Sequence, residues 1–485
     1  METLRFPSKT VKLERMTTKT GDRRHPLAQA VEQETDSNLY LCYQCVKCSS
    51  GCPVAEYMDL LPHQVMRSIQ FNDEEVLKAN TAWICAACVT CTTRCPQGID
   101  VAGVMDVLRI ESRKRKIKPP IPDVELFTKV FLRIIGSLGR LYEAGLMGTM
   151  NMLTLQPMKD MDLGVQMILK GKIRLLPEFI RPPRRVRPVQ AAENAIAYYP
   201  GCSLESTATE FDHTFRAVCE ALDIELIEPP NWLCCGSTPA HTTDPVLAGY
   251  YAIQTLSTVE RMGIDQMVAP CLGCYQRFKA AEHETKRDPE LAAQVAEKIG
   301  YEYQGTVETL HSVDALLERA GLDEIRDQVK RPLEGMKVAS YYGCATTRPP
   351  QITGAEHVEY PVCMDDIVRA LGGEPIDWSY KTDCCGGSLG ITQTDVALEL
   401  SAKILENAKA CGADIMITAC PLCQVNVENR QMQMDLGFEL PVLYITQLMT
   451  LAFGMEAKKA ELNKQIIDAH PVLREYKILE PIESS

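Results

Sequence analysis

The sequence predicts an α/β plus α architecture, with a small helical domain at the N-terminus followed by two duplicated α/β domains. Three observations predict it. The 21 cysteines fall in groups of repeated spacing, the second half of the chain repeats itself, and each repeat alternates short β-rich runs with helical patterns. A chain of 485 residues is too long for one core, and at about 100–200 residues per domain it divides into several units.

Residues 1–37 are polar, charged and without period, and read as an extended arm. From 38 to 116 cysteine runs alternate with the helical stretches LPHQVMRSIQ and VAGVMDVLRI. Residues 117–194 hold no cysteine, open on KPPIPD and close on RPPRRVRP, and read as a helical connector bracketed by prolines. The duplication occupies 195–330 and 331–452: AYYPGC (197–202) matches SYYGC (340–344), WLCCG (232–236) matches TDCCGG (382–387), and MVAPCLGC (267–274) matches MITACPLC (416–423). Cys202 and Cys344 are 142 residues apart, Cys235 and Cys385 150, and Cys271 and Cys420 149, so the order of landmarks is kept. In both copies one β-rich run ends on the first cysteine and another ends on the CxxC. The cysteines therefore fall beyond strand ends, where open α/β sheets place their ligands. Residues 453–485 read as a tail.

Cys42, Cys45, Cys48 and Cys52-Pro53 form C-x2-C-x2-C-x3-C-P, and Cys85, Cys88, Cys91 and Cys95-Pro96 repeat it. This is the ferredoxin-type spacing for two [4Fe–4S] cubanes, in which the fourth cysteine of each run ligates the other cluster. The rule groups Cys42, Cys45, Cys48 and Cys95 around one cubane and Cys85, Cys88, Cys91 and Cys52 around the second. A zinc ribbon would use two CxxC pairs well apart, without the third close cysteine and the CP.

Cys202, Cys234, Cys235, Cys271 and Cys274 make a third set, and Cys344, Cys384, Cys385, Cys420 and Cys423 a fourth. Five thiols exceed the four that a cubane takes, so either a larger cluster is bound or one thiol does chemistry. Gly236 and Gly386 follow the adjacent pairs, where glycine permits close approach of the backbone to a bulky inorganic group. His213, His241 and His311 lie in the first repeat as candidate proton donors beside the plainer reading of ordinary histidines, His241 being best placed six residues after the CCG. Tyr199 and Tyr342 are expected to pack beside the clusters. Lys381 could tune a cluster by its charge or be a solvated lysine, and Cys219, Cys363 and Cys411 read as core thiols.

The last two sets resemble the CCG domain, C-x31–39-C-C-x35–36-C-x2-C, found twice in the B subunit of heterodisulfide reductase. The gaps here are 31 and 35 in the first copy and 39 and 34 in the second. CYQCVKCSSGCP, MDLLPHQV and WICAACVTCTTRCP are similar to that enzyme's C subunit, so the chain resembles a C–B fusion of the kind seen in its D subunit, over about residues 38–450. The resemblance implies that each five-cysteine set ligates a non-cubane [4Fe–4S] cluster and that a disulfide is cleaved between them, making the protein a disulfide-reducing oxidoreductase. It implies a flavin-containing A-type subunit as electron donor, with hydrogenase or formate dehydrogenase subunits in bifurcating complexes, and the coenzyme M–coenzyme B disulfide of methanogenesis, or a related one, as substrate. The alternative is a non-catalytic electron-transfer subunit of a flavin dehydrogenase of glycolate, lactate or glycerol-3-phosphate type, delivering electrons to quinone or another carrier.

The formal charge of −13 argues against nucleic acid. SRKRKIK at 112–118 and RPPRRVR at 181–187 read as solvated linker charge or as a docking surface for an acidic partner. The longest apolar candidate, LFTKVFLRIIGSLGRLYEAGLMGTM, is interrupted by Lys129, Arg133 and Arg140 and reads as an amphipathic helix, so membrane contact is expected only through a partner. Without an apolar signal segment the protein is expected in the cytoplasm, where grouped cysteines bind metal.

Overall fold

The computed structural model describes residues 26–480. Most of the expected arm, residues 1–25, lies outside the described residues. Its last part is not extended: α1 (Pro26–Thr35) opens on a proline and buries Leu27, Ala28 and Val31. Helix α2 (Pro62–Gln70) and α3 (Val101–Lys114) complete this core, with Val65, Met66, Val104 and Leu108 facing Trp83. Asp100 caps α3 by accepting from Gly103 N at 3.0 Å, and Arg113 and Lys114 lie at its C-terminal end, where the helix dipole favours them.

The apolar stretch of the connector is two helices rather than one: α4 (Pro122–Leu138) ends at Gly139, with φ of 83°, before α5 (Glu143–Leu153). Gly139 is the left-handed cap that stops the helix, and Arg140 beyond it stacks on Trp232 at 3.5 Å and pairs with Glu205 at 2.7 Å. Helix α6 (Met161–Leu169) follows. Among the described residues no helix is long and apolar enough to cross a membrane. Of the first basic stretch, Arg113 is bound to Glu125 and Arg115 to Glu74, both at 2.7 Å, so the fold uses these charges internally.

Each repeat carries a four-stranded parallel sheet. The first is ordered β2-β1-β3-β4, from β1 (Ala195–Tyr198), β2 (Glu225–Ile227), β3 (Gln266–Val268) and β4 (Glu308–Leu310). The second, ordered β6-β5-β7-β8, uses β5 (Lys337–Tyr341), β6 (Glu374–Pro375), β7 (Ile415–Thr418) and β8 (Val442–Tyr444). Strands β1 and β7 are buried along their whole length, as parallel strands covered on both faces must be. The order reverses between β1 and β3, and again between β5 and β7. At such a switch point neighbouring loops diverge beyond the carboxyl ends and leave a crevice for a ligand. Cys202 and Cys271 follow β1 and β3, and Cys344 and Cys420 follow β5 and β7. The two repeats share both large cores, one of them containing Phe211 and Leu310 of the first repeat with Val338, Ile367 and Tyr444 of the second. The segment expected as a tail also packs inward, burying Ala460, Leu462, Leu473 and Ile478.

Candidate metal centres

The two ferredoxin-type loops follow the same unusual path. Gln44 and Val46 have φ of 61° and 68°, and Ala87 and Val89 at the matching positions have 52° and 60°. A β-branched residue in the left-handed region is costly, so its recurrence at one place in both loops marks a backbone held for a purpose. Cys42, Cys45, Cys48 and Cys95 line a single pocket, together with His63, Met66 and Ile99. Cys52 lies instead with the second run: burial, with Cys85 and Cys88 as neighbours, pushes its thiol up to about 12. Burial likewise raises Cys91, whose neighbours are Cys85, Cys88 and Cys52.

In the first CCG set Cys235 Sγ lies 3.2 Å from Cys274 Sγ, Cys234 is within hydrogen-bonding reach of Cys202, and Leu141 N of the connector donates to Cys202 Sγ at 3.2 Å. In the second, Cys385 Sγ lies 3.9 Å from Cys423 Sγ, Cys384 is in reach of Cys344, and Asn426 Nδ2 donates to Cys385 Sγ at 3.4 Å. Proton sharing within these pairs holds Cys235 and Cys271 well below the ordinary thiol range and raises Cys234 and Cys274. Metal binding needs thiolates and would release the shared protons.

Small residues leave room for a group larger than an ion. Gly201 and Gly343, each just before the first cysteine of its repeat, have φ of 75° and 71°. A Cβ there would stand 3.3 Å from Cys274 Sγ and 2.8 Å from Cys423 Sγ, respectively. These glycines shape the sulfur cradle, and the residues present fit a bound cluster. Gly236 and Gly386 serve a different purpose from the one expected, since the atoms that approach them are Ala240 and Ala397 of the following helical segments. Gly343→Ala is therefore expected to weaken cluster retention in the second repeat about tenfold, and Gly201→Ala less, as read by iron content and EPR of the two variants.

The aromatic counterpart in the second repeat is Tyr341, not Tyr342. Tyr199 Oη donates to Leu233 O at 2.9 Å and Tyr341 Oη to Asp383 O at 2.8 Å, each acceptor preceding a Cys-Cys pair. Counted back from the cysteine, Tyr341 stands three residues before Cys344 as Tyr199 does before Cys202, and Tyr342 falls opposite Pro200. Tyr342 turns to the opposite core and accepts from Met364 N at 2.8 Å.

Two contacts join the sets. Cys88 is within hydrogen-bonding reach of Cys384, linking the helical domain to the second repeat. Cys271 is in reach of Cys420, linking the two repeats. His311, one residue past β4, clasps the second junction: its Nε2 stands 3.0 Å from Pro270 O and 3.1 Å from Ala419 O, the residues preceding Cys271 and Cys420. His241 is elsewhere, with Nδ1 2.9 Å from Asp106 Oδ2 of the helical domain, and His213 pairs with Glu461 at 2.9 Å. Lys381 is buried against Asp365 rather than solvated. Of the three remaining cysteines Cys219 is buried and Cys363 partly so, but Cys411 is exposed beyond the helix Thr394–Ala410.

Residues 41–100 match the 4Fe-4S dicluster domain, and residues 196–279 and 338–428 each match the cysteine-rich domain of the CCG type. The chain is 30% identical over 282 residues to the 8-methylmenaquinol:fumarate reductase membrane anchor subunit of Wolinella succinogenes, covering 57% of this chain and 98% of that one. It is 28% identical over 285 residues to the B subunit of the ferredoxin/F420H2-dependent CoB-CoM heterodisulfide reductase of Methanosarcina acetivorans, covering 56% and 93%. The C subunit of a ferredoxin:CoB-CoM heterodisulfide reductase from the same organism is 35% identical over 68 residues, 14% of this chain and 28% of that one. A crystal structure of a hypothetical protein from Helicobacter pylori shares the fold, with a TM-score of 0.57 at 12% identity over 91% of this chain and 75% of that one. A dicluster domain docked on two CCG repeats defines an iron–sulfur protein of an oxidoreductase class. The chain belongs to the heterodisulfide reductase family, joining a C-like and a B-like part in one polypeptide.

Proposed function

We propose that this chain is the disulfide-reducing subunit of a heterodisulfide reductase-type complex, and the Cys271–Cys420 junction is the observation that carries the reading. Cys42, Cys45, Cys48 and Cys95 would hold one cubane, Cys52, Cys85, Cys88 and Cys91 a second, and the two five-cysteine sets a non-cubane cluster each. When bound, these clusters would supply one-electron carriers and, between the repeats, a reducing site where two electrons meet one disulfide. The chain's own residues prepare that site. Cys234, Cys235, Cys384 and Cys385 are only 3–4% exposed, which excludes water from the adjacent pairs. His311 and the backbone carbonyls it joins fix the spacing of the two CxxC loops.

The outer site is open where a donor would dock. Cys45 is exposed, and Tyr40, Leu41, Tyr43 and Val46 around it present apolar surface to solvent. This supports entry from a flavin-containing A-type subunit at that end, with hydrogenase or formate dehydrogenase subunits behind it. The division into a helical domain at 38–116, a connector to 194 and repeats at 195–330 and 331–452 belongs to the same proposal, as does a cytoplasmic site of action with any membrane contact made through a partner.

A second reading is favoured by the Wolinella relative, whose name makes it the membrane anchor subunit of a methylmenaquinol-oxidising enzyme: electron transfer between a flavin subunit and quinone without disulfide chemistry. Reduction of the anaerobically purified protein with an artificial donor, followed by titration with the coenzyme M–coenzyme B disulfide, simpler disulfides and a soluble menaquinone analogue, separates the two. An EPR signal that changes when disulfide or thiol is added is the expected result. Clusters indifferent to every thiol and disulfide but rapidly oxidised by the quinone would establish the second reading.

A further inference from the structure

The junction between the helical domain and the second repeat contains a buried cation that neither proposed ligand set uses. Arg348 is 1% exposed. Its Nη1 donates to Thr90 Oγ1 at 3.0 Å and Thr382 O at 2.8 Å, and its Nη2 to Glu359 Oε2 at 2.8 Å and Thr382 Oγ1 at 3.0 Å. Thr90 belongs to the helical domain, and its Oγ1 stands 3.4 Å from Cys88 Sγ. A Cys88 thiolate can only accept, so the Thr90 hydroxyl, itself accepting from the guanidinium, would be the donor to the sulfur.

We infer that Arg348, acting through Thr90, is a positioning residue that raises the reduction potential of the inner ferredoxin-type cluster. The inference rests on the reading that Cys52, Cys85, Cys88 and Cys91 hold a [4Fe–4S] cluster. Adding an electron makes a cluster more negative, so a hydrogen bond to its sulfur and a nearby positive charge favour the reduced form. Glu359 offsets part of this charge, but it also accepts from Arg94 Nε and Nη2, both at 2.8 Å, so two guanidiniums share one carboxylate. Asp383, beside Cys384, is the other acid facing the group. The outer site has a sulfur hydrogen bond of its own, Gln44 Nε2 donating to Cys42 Sγ at 3.4 Å, but from a neutral amide with no buried guanidinium behind it. Lys47 stands where the inner loop has Thr90, and the hydroxyl beside Cys48, Ser49 Oγ, is 3.9 Å from the sulfur and engaged with His63 Nδ1 at 2.8 Å.

The test is an EPR-monitored redox titration of the full chain, purified without oxygen, as wild type, Thr90→Val, Thr90→Ser, Arg348→Gln and Arg348→Lys. Thr90→Val is expected to lower the inner cluster's reduction equilibrium constant about tenfold, or about 59 mV for a one-electron couple. Thr90→Ser should restore the wild-type value, Arg348→Gln should follow Thr90→Val, and Arg348→Lys should fall between. The outer cluster is the internal reference and should not move. An unmoved inner potential in Thr90→Val with both clusters present overturns the inference, and so does an equal shift of both clusters, which would mark a general loosening. Should Arg348→Gln fail to fold, the threonine pair decides the matter. Absence of the two cluster signals in the wild type is a separate outcome: it removes the ligand reading itself and the inference with it.

Discussion

On the proposed function, Cys384→Ser is expected to lower disulfide turnover by more than about 100-fold, because even residues one shell outside a metal typically cost 10–100-fold and Cys384 stands in the proposed ligand set itself. It also stands at a crossing: it is in reach of both Cys344 of its own set and Cys88 of the helical domain. Its Sγ accepts from Gly386 N at 3.3 Å, and its side chain is 4% exposed, so no water substitutes for the lost sulfur. The expected pattern is selective. One cluster's share of iron and its EPR signature go, while the signals of the helical domain remain. Cys411→Ser, at an exposed thiol outside all four sets, should change neither turnover nor iron. Turnover surviving in Cys384→Ser with full iron would place the chemistry somewhere other than the paired CCG sets.

The second large effect is on stability and follows from Glu428, in the π-helical turn Val425–Asn429 just past the second CxxC. Its Oε1 accepts from Ile466 N at 2.6 Å and Ile467 N at 2.8 Å, while Oε2 is buried without a hydrogen-bond partner. Burial pushes this carboxyl up to about 7 from an ordinary 4.5, with Lys172 opposing the shift and Glu210 adding to it. Lys172 is itself committed to Glu210 in a fully buried pair, and Tyr444 also faces these carboxyls. A carboxyl whose pKa is raised on folding costs nothing below about pH 4.5, where both states hold the proton. Between there and about pH 7 the folded chain keeps a proton that the unfolded chain releases, so this group's contribution to stability declines with rising pH. Above pH 7 the penalty is complete and amounts to about 3 kcal/mol. Glu428→Gln keeps an acceptor for the two backbone N–H groups and has no proton to lose. It should be more stable than wild type at pH 8, less so at pH 6, and equal to it near pH 4.5. Denaturation midpoints measured from pH 5 to 8 on both proteins check this, and parallel profiles would contradict it.

The cysteine sets and the duplication were legible in the sequence because both are written in spacing along the chain, which survives without knowledge of the fold. The strand-end placement of Cys202, Cys271, Cys344 and Cys420 was legible for a related reason, since the apolar runs before them could be read as short buried strands. Contacts between distant segments were not. Thr90 and Arg348 are 258 residues apart, and nothing in either neighbourhood announces the other. His311 lies outside every cysteine motif and reaches the site only because β4 pairs beside β3. His241, nearer to a CCG in sequence, is carried away to Asp106. The Tyr342 expectation failed on position: counted back from the cysteine, Tyr341 stands opposite Tyr199 and Tyr342 opposite Pro200. The extended reading of residues 26–35 missed a helix whose signal was present in Leu27, Ala28 and Val31, a pattern too short to stand out from the polar run before it.

The helical domain meets the second repeat at Cys88 and Cys384, where Val54 and Ile84 pack with Leu389, Val396 and Leu400. The first repeat lies between them in the chain but joins this series of cysteine sites only beyond the second repeat, where Cys271 meets Cys420. A ribosome adding about 5–20 residues per second makes the two halves of that junction on the order of tens of seconds apart. Throughout that interval the nascent protein has its N-terminal cysteine loops and then its whole first repeat, but no junction. The series of sites is joined by nearly the last folded portion to emerge, so a chain cut short after the first repeat would carry three of the four cysteine sets and neither of the two junctions between them.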